Sequence, residues 1–382
     1  MTHEDRLAAP ESPRRIYVLA GEASGDAHAA KVMRHAKALQ PDLEVRGMGG
    51  DELQQLGVGL VEHVQNTSIM GFAEVLLKLR FIRGLIRRVK ADILAFKPDR
   101  ILLVDYPGFN LRIARWAKAQ GIAVDMYISP QVWAWKRRRV FRIAEDIDRL
   151  NAILPFEPES YRGLDLEVEY VGHPLVESLP ANGEWDEAQR RAWCLAQGLD
   201  AGRPVLALLP GSRIQELQRM LPVFEATAAA LPNWQPVIAG APGRTPADYN
   251  TDIPVLFGHT RALYQAAGLG LITSGTATLE AALAGLPQVV AYRTSPLTYR
   301  LAKAFTQVQF ISLVNLILDK EAVPECIQGA CTPAALTAAL RFVDSPEGRA
   351  QQLRDQTELR AILSKSGASQ RVAETLLRPV RT

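Results

Sequence analysis

Two short stretches of this chain combine residue types suited to holding phosphate. Positions 206–213 read LALLPGSR and positions 269–280 read LGLITSGTATLE. Each is an apolar run that breaks into a small-residue turn and then into a helical pattern. Gly211 permits a sharp turn after a strand, and Ser212 with Gln215 has the spacing of a capping box. Arg213 can clamp an anion through two parallel hydrogen bonds. Ser274, Gly275 and Thr276 repeat the arrangement, because small residues let backbone amides approach an anion at the positive end of a helix. Glu280 lies four residues after Thr276, on the same helix face, where a carboxylate can accept from ribose hydroxyls. Two such turns about sixty residues apart point to a nucleotide diphosphate. Taken alone, the first turn is equally a well-capped helix start with Arg213 in solvent; for Glu280 the alternative is a surface cap or pair, against which the apolar stretch 276–283 leans.

The first half of the chain offers acceptors. Gly21, Glu22, Ala23, Ser24, Gly25 and Asp26 follow the apolar run 16–20 directly. This is neither G-x-G-x-x-G nor a P-loop with its lysine. It is a glycine-flanked nest opening a helix, able to take a phosphate or sugar hydroxyls, with Glu22 and Asp26 as acceptors. A plain tight turn with Asp26 near a helix N-terminus reads almost as well. Asp105 closes the run 100–104 and precedes Tyr106-Pro107-Gly108. A carboxylate fixed at a strand's carboxyl end suits a general base that removes a hydroxyl proton. The alternative is an aspartate that merely forms the turn.

Two further segments carry cations beside apolar groups. Residues 129–139 read SPQVWAWKRRR, with Trp133 and Trp135 ahead of four consecutive cations that include Arg137. Base stacking on RNA is one use of such a segment. An anionic amphiphile is another, with indoles at the interface and cations on phosphate, and simple loop packing is a third. Residues 70–90 form a basic amphipathic pattern in which Phe72, Leu76, Leu79, Ile82, Leu85, Ile86 and Val89 keep helical spacing. Lys78, Arg80, Arg83, Arg87, Arg88 and Lys90 place six cations in thirteen residues. The pattern predicts a helix lying on an anionic bilayer, against an ordinary helix covering a sheet.

The elements that must position these residues follow from alternation. Runs at 16–20, 100–104, 123–128, 151–154, 205–209, 236–239, 269–272 and 288–292 read as strands. Several lack polar alternation, as strands buried on both faces do. Helical patterns, such as 26–39 and 214–231, fall between them. The order predicts an α/β protein with parallel sheets and right-handed crossovers. A Pro- and Gly-rich break near 171–183 separates two Rossmann-like halves, with a cleft between them as the expected reaction site. The 382 residues allow two domains, and 48% apolar with 22% charged residues is the balance of a folded soluble protein. A net charge of +3 gives no global case for nucleic acid. Three cysteines without a C-x-x-C pair, and six histidines without ligand spacing, predict reduced thiols and no metal site. Asp146-Ile147-Asp148 is a D-x-D read here as surface. The polar stretch 1–15 has no apolar core of a signal peptide and reads as a frayed tail, and no run is long enough to span a membrane.

In order along the chain, GEASGD (21–26), SIMGFAEVL (68–76), VDYPGFN (104–110), SPQVWAWKRRRV (129–140), VGHPL (171–175), LPGSR (209–213) and SGTATLEAAL (274–283) resemble the lipid-A-disaccharide synthase family. The resemblance implies a GT-B glycosyltransferase with domains at 16–173 and 174–354, and with 355–382 crossing back as a C-terminal helix. It implies inverting transfer of 2,3-diacylglucosamine from UDP-2,3-diacylglucosamine to 2,3-diacylglucosamine 1-phosphate, without metal or cofactor, at the inner face of the cytoplasmic membrane. Asp105 becomes the base. Gly211, Ser212, Arg213, Ser274, Gly275, Thr276, Glu280 and Asn315 become the UDP-sugar site. Gly21, Glu22, Ser24, Gly25, Asp26, Trp133 and Arg137 face the acceptor, and Phe72, Leu76, Leu79, Arg83, Ile86 and Arg87 face an anionic membrane surface. No nucleic-acid partner is expected, and oligomeric state stays open, a homodimer included. The alternative is another UDP-N-acetylglucosamine-type GT-B transferase or a 2-epimerase.

Overall fold

Apolar runs buried on both faces form the middle of two parallel sheets, each covered by helices as such burial requires. The computed structural model describes residues 12–68, 75–132, 139–178, 185–305, 309–365 and 367–379. Two units divide the chain, Met1–Glu177 with Lys365–Thr382, and Ser178–Ser364. Residues 1–11 of the expected tail lie outside the described residues, whereas Arg15 already belongs to a strand.

The first unit holds β1 (Arg15–Ala20), β2 (Glu44–Gly49), β3 (Gly59–His63), β4 (Arg100–Val104), β5 (Ala123–Tyr127), β6 (Arg149–Ala152) and β7 (Glu167–Tyr170), in the order β3-β2-β1-β4-β5-β6-β7. β5 stops at Tyr127 because Ile128 turns left-handed, at φ 65°. β6 runs over 149–152 rather than 151–154, starting at a buried arginine. One sheet face packs Tyr17, Leu19, Ile101 and Leu103 against Leu85, Val89 and Ile93. The other packs Ile16, Val18 and Leu102 against Val32 and Met33, and against Val372 and Leu376 of the helix Ala368–Leu377.

Buried cations fix that last helix. Arg100 Nη1 donates to Leu376 O at 3.0 Å and to Asp125 Oδ2 at 2.9 Å. Arg149 donates to Thr375 O, and its Nη2 to Glu167 Oε2 at 3.1 Å. Carbonyls left unpaired at a helix C-terminus thus meet cations, which the helix dipole favours.

The basic amphipathic pattern forms the helix Val75–Phe96. Leu85, Val89 and Ile93 are core residues, and Phe81, Ile82 and Ile86 pack on the same core. The expected membrane face is therefore corrected at Ile86, which the sheet claims, while Arg83 and Arg87 are exposed. Phe72 and the side chains of Leu76 and Leu79 lie outside the described residues. Among the described residues no helix is long and apolar enough to cross a membrane. Asp146 is buried and paired with Arg115 at 3.0 Å, which corrects its reading as surface; Asp148 pairs with Lys118 at 2.5 Å.

The second unit holds β8 (Val205–Leu209), β9 (Gln235–Gly240), β10 (Val255–Phe257), β11 (Ala267–Thr273), β12 (Gln288–Tyr292) and β13 (Glu325–Ile327), in the order β10-β9-β8-β11-β12-β13. Leu206, Leu208, Leu269 and Leu271 fill one face and Ala207, Leu209 and Ile272 the other.

Candidate active site

Both sheets reverse direction at one point, between β1 and β4 and between β8 and β11. Connections leave to opposite sides there, which opens a crevice outside the carboxyl ends of the two strands. All four chemistry-bearing turns sit at these points. Ala20 pairs with Val104, so the turns starting at Gly21 and Asp105 emerge side by side. Leu209 pairs with Ile272, which brings Pro210-Gly211-Ser212-Arg213 beside Ser274-Gly275-Thr276.

In the first unit Asp105 and Tyr106 both take left-handed backbone, each at φ 48°. Such conformations cost about 1–3 kcal/mol for residues other than glycine and persist only when held. Asn110 holds them: fully buried, its Nδ2 donates to Asp105 O at 2.7 Å and to Val104 O and Leu19 O at 3.3 Å each. The Asp105 carboxylate is half-buried, and burial pushes its pKa up, opposed by the Tyr106 amide. Gly21 touches this turn closely, since a Cβ there would lie 2.1 Å from the Tyr106 ring. Burial, then the charge of Glu22, pushes the Tyr106 hydroxyl up.

Within the nest the two acids part ways. Glu22 and Ser24 are exposed, and Gly25 is buried under the end of β4. Asp26 is buried and its carboxylate is spent, accepting from the amides of Gly50 (2.7 Å), Glu52 (2.9 Å) and Leu53 (3.3 Å). It fixes the start of the helix Asp51–Gln55 rather than facing solvent. Trp133 and Arg137 lie outside the described residues. Just before them, Ser129 donates to the buried Glu157 at 2.7 Å, and Glu157 also accepts from Ile153 and Leu154 at 2.9 Å each.

In the second unit Gly211 is at φ 116°, and a Cβ there would fall 2.6 Å from Glu216. The expected Ser212–Gln215 box is replaced by one built on Glu216. Its Oε2 accepts from Ser212 N (3.0 Å) and Arg213 N (3.2 Å), and its Oε1 from Arg213 Nη1 (2.9 Å). The helix Ile214–Ala229 starts one residue later than that box assumed, which makes Glu216 the N3 residue. Arg213 stays exposed. Gly275 and Thr276 are exposed at the start of the helix Thr276–Leu283, with open space where a Gly275 side chain would stand. Ser274 spends its hydroxyl hydrogen on Ile311 O at 3.0 Å. Glu280 is half-buried on that helix; burial pushes its pKa up and Arg261 pulls it down.

Asn315 is fully buried and its amide is engaged on every side. Nδ2 donates to Val323 O (2.8 Å) and Glu325 Oε1 (2.9 Å), and Oδ1 accepts from Ala322 N and Val323 N (2.9 Å each).

A family model of lipid-A-disaccharide synthetase matches residues 16–378. The chain belongs to the lipid-A-disaccharide synthetase family. The lipid-A-disaccharide synthase of Myxococcus xanthus is 38% identical over 378 residues, covering 96% of this chain and 97% of the relative. Lipid-A-disaccharide synthase 1 of Legionella pneumophila is 36% identical over 367 residues, 93% and 94% of the two chains. The fold is that of GT-B enzymes. A glycotransferase of kitacinnamycin superposes with TM-score 0.60 at 17% identity, covering 97% of this chain and all (100%) of that one. A putative UDP-N-acetylglucosamine 2-epimerase from Listeria monocytogenes gives TM-score 0.62 at 12% identity, covering 97% and 99%.

Membership makes this lipid-A-disaccharide synthetase relative a glycosyltransferase of lipid A disaccharide synthesis. It also sharpens which residues escaped the sequence reading. Asn110, Glu157 and Glu216 touch candidate segments without standing at their tips, and Glu325 touches Asn315 and the Ile311–Ser312 peptide that Ser274 bonds. Only Glu216 left a legible trace, as a glutamate three residues after a helix cap. The other three act on backbone groups or partners that spacing does not reveal.

Proposed function

We propose that this family member transfers 2,3-diacylglucosamine from UDP-2,3-diacylglucosamine to the 6-hydroxyl of 2,3-diacylglucosamine 1-phosphate. The products are a β-1,6-linked disaccharide 1-phosphate and UDP. The observation that carries the reading is the seating of one fixed carboxylate and two small-residue turns at the switch points of the two sheets. Asp105 takes the proton from the attacking hydroxyl. The acceptor oxygen bonds to C1 of the donor sugar as the bond from C1 to the β-phosphate oxygen breaks, which inverts the anomeric centre. UDP leaves with the bonding electrons, and its growing charge meets Arg213, the Ser212 hydroxyl and the amides of Gly275 and Thr276. Glu280 accepts from the ribose hydroxyls. Gly21, Glu22, Ser24 and Gly25 serve the acceptor, as do Trp133 and Arg137.

Both substrates carry acyl chains, so they are met at a membrane surface. Arg83 and Arg87 supply exposed cations for an anionic leaflet, consistent with peripheral work at the cytoplasmic face of the inner membrane. The test is direct. Purified protein with both acylated substrates in detergent and EDTA should form the disaccharide 1-phosphate and stoichiometric UDP. Epimerisation of UDP-N-acetylglucosamine without disaccharide formation would overturn the assignment.

A further inference from the structure

We propose that Glu325 is a positioning residue for the donor diphosphate turn, acting through the Ile311–Ser312 peptide on Ser274; this rests on the reading that Ser274-Gly275-Thr276 holds the donor. Glu325 is the first residue of β13, paired with Val290 of β12. Its carboxylate reaches forward to a segment that precedes it by thirteen and fourteen positions, where Oε2 accepts from Ile311 N and Oε1 from Ser312 N, at 2.9 Å each. Oε1 also accepts from Asn315 Nδ2 at 2.9 Å.

One peptide group is thereby held on both sides. The N–H of the Ile311–Ser312 peptide donates to Glu325, and its carbonyl, Ile311 O, accepts the Ser274 hydroxyl at 3.0 Å. A carboxylate on the N–H polarises the peptide and makes its oxygen a better acceptor. The Ser274 hydroxyl is locked as a donor to protein, and the turn it begins is pinned at its root. Ser274 N adds a bond to Ala291 O at 3.1 Å. The phosphate then meets a turn that is already fixed at its first residue.

Asn315 completes the frame, its side chain tied to Glu325 and to residues 322 and 323 while its backbone N–H donates to Ser312 Oγ at 3.3 Å. A glutamine at 325 would keep the size and lose the match. Its NH₂ would face an N–H that now finds an oxygen.

The experiment is a double-mutant cycle on UDP affinity, read by calorimetry on the full chain, with kcat and KM for each substrate. Glu325→Gln and Ser274→Ala should each weaken UDP binding about tenfold, the scale of one well-made hydrogen bond. The double variant should be no weaker than the worse single, because both cut the same chain of contacts. Donor KM should rise with acceptor KM unchanged. Should Glu325→Gln fail to fold, Glu325→Asp serves, since it keeps the charge but withdraws it from the peptide. UDP affinity within twofold of wild type in the Glu325 variants, or additive losses in the double, overturns the proposal. Wild-type protein that binds no UDP overturns instead the donor reading beneath it.

Discussion

Replacing Asp105 by asparagine separates charge from shape at the proposed base. Asparagine tolerates left-handed backbone nearly as well as aspartate, so the φ of 48° at this position can persist. The Asn110 bond to the carbonyl of residue 105, 2.7 Å in the native chain, is a backbone contact and survives. What disappears is a half-buried carboxylate. Positioned general bases contribute about 10²–10⁴ in rate, or about 3–5 kcal/mol at 1.36 kcal/mol per tenfold. The upper part of that range is expected here. The strained turn is fixed from below, and among the nest acids Asp26 is already committed to three amides. The assay is disaccharide formation, with kcat and both KM values, beside calorimetric UDP binding. kcat should fall about a thousandfold or more with UDP affinity unchanged within twofold. A variant keeping more than a tenth of wild-type kcat would refute the role. The pH profile adds a second check. Burial raises the Asp105 pKa, and the base must be ionised, so the acid limb of kcat/KM should lie above the ordinary carboxylate range and vanish in the variant. Stability runs the other way. A carboxyl whose folded pKa is raised favours its protonated form in the fold, so its cost is absent below the unfolded pKa and complete above the folded one. Asp105→Asn should therefore gain stability at neutral pH relative to wild type, and the gain should disappear in acid.

Other perturbations test separate parts of the structure. Arg213→Ala should weaken UDP binding about 10- to 150-fold, since hydrogen bonds to charged groups are worth about 1.5–3 kcal/mol; unchanged calorimetry would remove this exposed side chain from the donor site. Arg83→Ser with Arg87→Ser should cut partition onto anionic vesicles about 30-fold, at about 1 kcal/mol per charge, while leaving UDP affinity alone; equal partition would send the membrane contact elsewhere. Arg149→Met removes one of the two cations beside the buried Asp125, and with it donors to Glu167 and the Thr375 carbonyl. It should cost the first unit about 3–5 kcal/mol, seen as lost amide protection in the helix Ala368–Leu377, and full protection there would show that the clamp is dispensable.

The sequence made the middle of each sheet legible because burial on both faces leaves no polar alternation to misread. Edge and near-edge strands were harder. β7 reads EVEY and is half-buried throughout, while β10 and β13 are three residues each. β2 carries glycines that argue against a strand, yet Gly47 is required there because a Cβ would lie 1.9 Å from Val18 O. At the site, the tips of the turns announced themselves through small and charged residues in a row. Their supports did not. Asp26 looked like a ligand and is a structural anchor, and Asn315 looked like a ligand and is spent on its own loop. A side chain that bonds backbone amides is interchangeable, in sequence, with one that bonds substrate.

The helix Ala368–Leu377 belongs to the first unit although the whole second unit precedes it in the chain. A ribosome delivers that order in time. When Glu177 has been added, β1 to β7 exist, but the sheet face of Ile16, Val18 and Leu102 lacks Val372 and Leu376. Arg100 and Arg149 likewise wait for the carbonyls they bind. Some 200 residues separate Glu177 from Leu377, about 10–40 s of synthesis at ~5–20 residues per second. The second unit, contiguous from 178 to 364, can finish meanwhile. The unit begun first is thus the last to close, and through that interval part of its sheet face stands uncovered.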